Sequence, residues 1–498
     1  MGTLSHYDET SNLADKLVRM PATEQAVPRV GARASTWFDG HFEHFVIIIE
    51  LMADLLTAFF AAQLVYAVHV HFNFPNGHTR LEVLATSFGF GLFIILLLDR
   101  ENAYRRGNGL LRIRDTERVL RVCTQCFIVL FAITFVTKSV VSRSLVASLC
   151  ATTLVLLLLG KQVVYWFFRW LHGRGLGVRK VLIYGAGHAG RRVFSALCRS
   201  PKLGLDPIAV LDERPEHRVE RVFDLGYTRT KSAPVQHDPL TRDLLHELKI
   251  GMVVIAAPNL ARDRFVQIFS EAAAAGVKVA VVPDHFLSAQ MWMEYGDIDG
   301  LLLATFGGPP ERRVYDITKR LFDFVLGLGL LVLVAPFWAL TLILIRMDSP
   351  GPAIFRQERI GYNGKPFFLF KFRTMYSGAP AYGYSPTSSE DERITHIGRF
   401  LRRTSLDEIP QLLNVLRGEM SLVGPRPEMP FIVRDYQAQH RKRLQVKPGI
   451  TGLWQLSADR AFLIHENIEY DLYYIRNRSF FMDVAILLHT VFFAMRGI

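Results

Sequence analysis

The 498-residue chain has few cysteines: Cys123, Cys126, Cys150 and Cys198. Four scattered thiols exclude a disulfide scaffold. Cys123 and Cys126 form a C-x-x-C, but no second pair or histidine cluster completes a zinc site, so they read as membrane-buried thiols. The N-terminus lacks the apolar core and cleavage site of a signal peptide. Residues 1–40 are polar and mixed, and read as a flexible cytoplasmic tail. RNA- and DNA-binding signatures and internal repeats are also missing. Acidic residues are in deficit, 46 against 58 lysines and arginines, which leaves a net charge of +12.

Hydrophobic residues make up 50% of the chain, charged residues 21%, and mean hydropathy is +0.20. Apolar blocks must therefore alternate with polar ones, as in a membrane protein of two or three domains. With nucleic acid set aside, the positive charge points to an anionic membrane surface or to phosphorylated substrates.

Four apolar stretches come first, at 45–68, 83–98, 119–136 and 145–168, each near the length that crosses a bilayer as a helix. Lys16, Arg19, Arg29 and Arg33 precede the first, and only Arg80 lies in the next loop. The segment after the second is densely basic: Arg100, Arg105, Arg106, Arg112, Arg114, Arg118 and Arg121. Arg169, Arg174, Arg179 and Lys180 follow the fourth. Both ends of a four-helix region at 41–172 are thus expected on the cytoplasmic side.

A strand at Lys180–Tyr184 then runs into Gly185-Ala-Gly187-His-Ala-Gly190 and a helical pattern. Further strands are expected at Ile208–Asp212, Met252–Ala256 and Val277–Val282. Strands alternating with helices predict a Rossmann-like parallel α/β domain at about 178–300. Gly185, Gly187 and Gly190 could bring backbone amides to a pyrophosphate, with Asp212 on a ribose. Equally, the glycines could serve only tight packing in a domain that binds nothing.

A fifth apolar stretch, Val325–Ile345, contains no charged residue and has Pro336 at its middle. Lys319 and Arg320 flank one end and Arg346, Arg356 and Arg359 the other, so both ends read as cytoplasmic. A helix at about 320–346, broken at Ala335–Pro336, would enter the membrane and turn back. The alternative is a kinked fifth span. Beyond it, 374–392 reads as a loop, and Ser479–Arg496, carrying Asp483 and His489, as an interfacial or docking helix.

The C-terminal part holds the densest cluster: Arg402, Arg403, Ser405, Asp407, Glu408 and Pro410, then Gly424-Pro-Arg426-Pro427. Ser405-x-x-Glu408 is a capping box, Asp407 suits a helix N-terminus, and Leu412, Leu413 and Leu416 would be the buried face. The same helix end, with Arg402 and Arg426 near, would also suit a carboxylate that meets a phosphate. Consecutive residues point about 100° apart on a helix, so Asp407 and Glu408 are expected to hold separate roles. The prolines would aim Arg426, while Lys371 and Arg373 add cations.

The ordered motifs Ser349-Pro-Gly-Pro352, Phe355–Gly361, Lys371-Phe-Arg373-Thr-Met375, Arg402–Pro410, Gly424–Pro427 and Lys447-Pro-Gly-Ile-Thr-Gly452 resemble the bacterial sugar transferases. Within that family they are similar to the polyprenyl-phosphate hexose-1-phosphate transferases of exopolysaccharide and O-antigen synthesis, over about 316–498. The resemblance implies a mainly α, monotopic catalytic domain with a re-entrant helix. It implies Asp407 as nucleophile, Glu408 as its acidic companion and Arg402 and Arg426 as phosphate ligands. It also implies Mg²⁺ at Asp407, and UDP-glucose or UDP-galactose and undecaprenyl phosphate as substrates at a bacterial inner membrane. Family members often carry Ser-Pro where Ala335–Pro336 stands here, which removes a capping hydroxyl.

Two other classes compete. Tyr315-x-x-x-Lys319 has the spacing of a short-chain dehydrogenase pair, which would suit an NAD-dependent nucleotide-sugar enzyme. A non-catalytic assembly or regulatory protein is the second, with 178–300 regulatory or dimer-forming in a homodimer.

Overall fold

The computed structural model describes residues 36–72, 79–104, 112–136, 143–199, 204–213, 222–224, 232–257, 260–282, 292–298, 301–307, 312–378, 391–456 and 468–495. The N-terminal segment 1–35, Arg105 and Arg106, and loop residues 379–390 lie outside that set, and with them most of the expected tail and loop.

The four N-terminal apolar stretches form helices α1 (Thr36–His71), α2 (Arg80–Arg100), α3 (Arg112–Val136) and α4 (Arg143–Gly173). α2 opens with a capping box in which Thr79 and Glu82 satisfy each other's backbone N–H groups. With the later helix 313–348, five described helices are long and apolar enough to cross a membrane. Cys123, Cys126 and Cys150 lie in the buried core of the first four, beside Leu98, Val122 and Leu157. All four cysteines are free thiols.

The α/β domain has a six-stranded sheet in the order β3-β4-β2-β1-β5-β6. Its strands are β1 (Arg179–Tyr184), β2 (Leu205–Leu211), β3 (Val222–Asp224), β4 (Ser232–Gln236), β5 (Met252–Ile255) and β6 (Lys278–Val281). Helices α5 (His188–Arg199), α6 (Arg242–Glu247) and α7 (Arg262–Ala274) alternate with them. All neighbours pair in parallel except β3 with β4, two short strands the pattern did not predict. Side-chain alternation splits β1 between two cores. Val181 and Ile183 join Phe194 of α5, and Leu182 and Tyr184 join Ile268 of α7. A hairpin of β7 (Trp292–Ile298) and β8 (Leu301–Gly307) follows.

Helix α8 (Arg313–Asp348) is 36 residues long. It stays helical through Pro336, so the expected break is not an interruption of the helix. Proline removes one i→i−4 bond, and a helix absorbs that as a kink without leaving helical dihedrals. Both halves of α8 touch one C-terminal module. Toward its start, Lys319 Nζ lies 2.9 Å from Asp483 Oδ2, and Arg320 donates to the carbonyls of Val415 (2.7 Å) and Leu416 (2.9 Å). At its end, Asp348 Oδ2 accepts from the Ile397 N–H at 3.0 Å.

That module carries an antiparallel hairpin, β9 (Ile354–Ile360) and β10 (Pro366–Phe372), helices α9 (His396–Arg403) and α10 (Gln411–Arg417), and a parallel pair, β11 (Ser421–Val423) with β12 (Gly449–Thr451). Helices α11 (Ile468–Asn477) and α12 (Phe480–Met495) close it. α12 docks as expected: Asp483 also accepts from Tyr315 and Tyr474, each at 2.7 Å. Tyr315 and Lys319, one turn apart on α8, are thereby spent on holding α12. His489 meets Thr116 of α3 at 2.9 Å, and Arg114 of α3 donates to Tyr473 at 3.0 Å. The first turns of α3 are therefore part of the module's packing, which spacing alone did not reveal.

Candidate active site

Asp407 and Glu408 sit in a single 3-10 turn, Leu406–Glu408, between α9 and α10. The expected capping box is absent. Ser405 takes a left-handed conformation, φ +55°, which turns its side chain away from the cap, and it makes no side-chain cap bond. α10 starts only after Pro410. Its buried side is Gln411, Leu412, Asn414 and Val415, so Leu413 and Leu416 are not its most buried residues. The later start of the helix rotates the buried face.

Asn414 is fully buried, and its amide acts as an extra strand beside β10. Oδ1 accepts from the Phe370 N–H at 3.1 Å, and Nδ2 donates to the Phe368 carbonyl at 2.7 Å. This ties α10, and the acidic turn before it, to the strand that carries Lys371. A lone asparagine within the apolar run 412–416 was the signal, unread at the sequence level.

Lys371 Nζ stands 2.8 Å from Glu408 Oε1 and 3.7 Å from Asp407 Oδ2. Arg426 Nη1 reaches the same Glu408 oxygen at 3.4 Å. The two carboxylates therefore converge on one cation, closer together in space than the helical angle suggested. Their side chains are only 13% and 17% exposed. Burial raises the pKa of both, but the outcomes diverge. For Glu408, Lys371 and Arg426 outweigh burial and hold it at about 2. For Asp407, burial prevails over Lys371, its neighbour Glu408 adds to the rise, and the result lies above the ordinary carboxylate value. Arg402, on the last turn of α9, contributes attraction to Asp407 through space. Environments that push two acids apart assign them different roles.

Two buried arginines aim Arg426. Arg443 donates to the Arg426 carbonyl at 3.0 Å and pairs with Asp471 at 2.7 Å. Arg359 donates to the Pro427 carbonyl at 3.1 Å. The Gly424 N–H donates to Thr451, and a side chain at Gly424 would sit 2.5 Å from the Lys447 carbonyl, so only glycine fits there. In the sequence Arg359 reads only as a flanking cation and as part of the Phe355–Gly361 motif, and Arg443 is not distinguishable there from solvated surface charge.

Arg373 is placed differently from expectation. It is buried and donates to the carbonyls of Ile345 (3.3 Å), Ser349 (2.6 Å) and Pro350 (3.0 Å) and to Ser349 Oγ (2.9 Å). The last carbonyls of a helix lack intrahelical partners, and a guanidinium with several donors in a fixed fork meets that need. Arg373 is a clamp on the end of α8.

Among the described residues, no group of three or more His, Cys, Asp or Glu side chains could hold a metal alone. Mg²⁺ commonly takes one or two carboxylates and completes its shell with substrate phosphates and water. Asp407, with Glu408 beside it, fits that shared mode and not a resident cage.

In the α/β domain, Gly185 has φ +114°, and a side chain there would meet the Ala256 carbonyl at 2.8 Å. One at Gly190 would collide with the Gly185 carbonyl, and the Gly187 carbonyl, just before α5, accepts from the Arg191 N–H in its first turn. Asp212 lies one residue past the end of β2, not within the strand as expected, and is 2% exposed. Its Oδ2 accepts from the Ala186 N–H at 2.6 Å. The carboxylate expected on a ribose is turned onto the Gly-rich turn itself, because a buried acid needs a donor and the Ala186 amide of that turn supplies one.

Residues 314–497 match the sequence model described as bacterial sugar transferase, and residues 101–283 one described as a CoA-binding domain. A UDP-glucose:undecaprenyl-phosphate glucose-1-phosphate transferase of Escherichia coli (strain K12) is 31% identical over 339 residues, covering 65% of this chain and 69% of that protein. The protein of the same name from Xanthomonas campestris pv. campestris is 31% identical over 366 residues, 70% of this chain and 73% of its own. A third of that name, from Caulobacter vibrioides, is 40% identical over 207 residues, 40% of this chain and 78% of its own.

Proposed function

This chain belongs to the bacterial sugar transferase family, and from that premise we propose that it moves glucose-1-phosphate from UDP-glucose to undecaprenyl phosphate, with Asp407 as the nucleophile. One observation carries the assignment within the pair. Lys371 and Arg426 both bind Glu408, which leaves Asp407 as the acid with the weaker clamp and the raised pKa. A more basic carboxylate is the better nucleophile as long as it stays ionised.

Asp407 attacks the phosphorus that bears the sugar, the bond to the UMP oxygen breaks, and UMP leaves. A phosphate oxygen of the lipid then attacks the same phosphorus, the aspartyl bond breaks, and Asp407 is regenerated with the lipid-diphosphate-sugar as product. Glu408 is a positioning residue that holds Lys371 and Arg426 against the diphosphate. Arg402 adds positive charge near the reacting oxygen. Asp407, with Glu408 beside it, would hold Mg²⁺, which would supply further charge neutralisation.

We read the catalytic module as cytoplasmic, on a bacterial inner membrane, with α1–α4 spanning and α8 re-entrant. A straight α8 would be about 54 Å long against a hydrocarbon core of about 30 Å. Contacts of one module with Lys319 and Arg320 near its start and with Asp348 at its end favour both ends on one face. Glucose is favoured over galactose because the relatives that align well beyond the catalytic module bear glucose in their names.

Purified protein with undecaprenyl phosphate and Mg²⁺, offered a panel of UDP-sugars, tests this reading. UMP release with UDP-glucose, and a sugar-phosphoryl adduct on Asp407 in the absence of lipid, are expected. Near-full turnover by Asp407→Asn would overturn the assignment.

A further inference from the structure

A cavity of about 680 Å³ lies between the first turns of α8 and the segment leading into β12. None of Asp407, Glu408, Lys371 or Arg426 lines it. Its charges are unbalanced in an informative way. Lys319 is neutralised by Asp483, and Arg478 pairs with Asp316 at 3.3 Å. Arg320 donates to the carbonyl end of α10 and lies over the Phe324 ring, and among the described residues it has no carboxylate partner. Lys447, half-buried, has no hydrogen-bond or ion-pair partner among the described residues, and a side chain on Gly418 would stand between the two cations, 3.2 Å from Arg320 and 3.7 Å from Lys447. Burial first, and then the Arg320 charge, lower the Lys447 pKa. The attraction of Asp323 is not enough to reverse that. Two cations are thus held side by side in a partly dry site, and Asp323, the acid that lines it with them, lies 4.0 Å from Lys319 and forms no ion pair with either among the described residues.

The other wall is apolar. Ile317, Leu321 and Phe324 recur at i, i+4 and i+7 on α8, all three are exposed, and all three line the cavity. The same helix continues outward with exposed Val325, Leu328 and Val332. Cations at the base and an apolar track leading along a membrane helix suit an amphiphile with an anionic head, not a free anion.

We propose that this cavity seats a lipid-borne phosphate, its head on Lys447 and Arg320 and its chain along Ile317, Leu321 and Phe324. The proposal rests on the transferase reading only for the identity of the lipid, since prenyl phosphate and an anionic bilayer phospholipid share the chemistry. With prenyl phosphate the seat is a waiting position for the acceptor, separate from the acidic centre.

The test uses the full chain in nanodiscs of phosphatidylcholine alone, or doped with undecaprenyl phosphate or with phosphatidylglycerol, and native mass spectrometry counts retained lipid. Wild-type protein should retain one of the two anionic lipids, and Lys447→Met should reduce that retention about tenfold, the scale of one lost charge-assisted bond. Leu321→Glu, which keeps both cations, should reduce it as well. Retention of undecaprenyl phosphate identifies the acceptor, and a Lys447→Met enzyme then shows a raised KM for lipid with kcat and the KM for UDP-sugar little changed. Retention of phosphatidylglycerol alone identifies a bound bilayer lipid. Equal retention by wild type and both variants, or displacement of the lipid by millimolar inorganic phosphate, overturns the proposal. Because retention is read without turnover, an inactive enzyme would sink the transferase reading and leave this result standing.

Discussion

The Arg443 guanidinium donates to the backbone carbonyl of Arg426 at 3.0 Å, so a buried arginine fixes the direction of a second arginine that faces the acidic pair. Arg443 is itself held by Asp471 at 2.7 Å and by the Tyr436 hydroxyl at 2.6 Å. The outer cation acts on Glu408, and the inner one acts only through it.

Arg443→Lys keeps a charge for Asp471 but loses the fork that reaches Arg426. A misplacement of about 1 Å near reacting atoms costs on the order of 10²-fold in rate. The expected outcome is kcat per folded molecule down by about tenfold or more, together with a lower Tm, since the Tyr436 hydroxyl and the Arg426 carbonyl lose a buried partner. A Tm drop with unchanged kcat per folded molecule would mean that Arg443 is structural only.

The two acids should have opposite effects on stability. Glu408 is held at about 2 in the folded chain, below its ordinary 4.5. Its contribution is thus complete above that ordinary value and is lost as pH falls toward about 2. Glu408→Gln should destabilise by about 1–3 kcal/mol near neutrality, since it strands Lys371 and Arg426, and the difference from wild type should vanish through that acid window. Asp407 is raised, so its ionised form costs stability at neutral pH, a cost relieved as pH falls through its folded value. Asp407→Asn should therefore abolish turnover without lowering Tm. Paired denaturation curves from pH 7 downward check both signs.

Arg373→Ala should destabilise by about 2–4 kcal/mol, because it leaves the carbonyls at the end of α8 without donors. The KM for UDP-sugar of the folded fraction should not move. A large KM rise with unchanged stability would return Arg373 to the phosphate-binding set.

Ser405 holds φ +55° immediately before the acidic turn. Glycine takes that conformation freely, whereas a β-branched residue does not. Ser405→Gly should be neutral or stabilising by up to about 1 kcal/mol, and Ser405→Val should cost about 1–3 kcal/mol. Chemical denaturation ranks the two.

Single cysteines can be placed at Thr318, in the second turn of α8, and at Lys365, beyond its end, both exposed. A membrane-impermeant thiol reagent should label both from the cytoplasmic side only if α8 enters and returns. Labelling of the two from opposite sides would make α8 a fifth span. Ser349 and Ser479 would be poorer reporters, because Ser349 is buried against Arg373 and Ser479 donates to Glu117 at 2.6 Å.

What could be read along the chain was whatever depends on near neighbours. The five long apolar helices, the strand-turn-helix at Gly185, and the cluster around Asp407 are patterns of composition and short spacing, which hydrophobic burial and backbone sterics decide locally. The docking character of α12 was legible too, because Asp483 and His489 are polar groups in an apolar helix and must find partners. Where local reasoning failed, a contact distant in sequence had won. Ser405-x-x-Glu408 spelled a capping box, but Lys371 and Arg426 draw Glu408 into ion pairs worth more than a cap, and Ser405 turns left-handed to allow it. Arg373 reads as one more cation beside Lys371, and strand alternation would put the two on one face, but β10 ends at Phe372, so Lys371 meets the acids from the strand while Arg373, past its end, turns to the end of α8.

The amino-acid sequence alone determined which residues could do the chemistry: two adjacent acids, cations at proline and glycine turns, and a membrane helix before them. Only the tertiary structure divided the labour among them. Charge energies depend on distance and burial, and residues 371, 408, 426 and 443 come within reach of one another only when β10, the acidic turn and the Gly424–Pro427 loop are packed together.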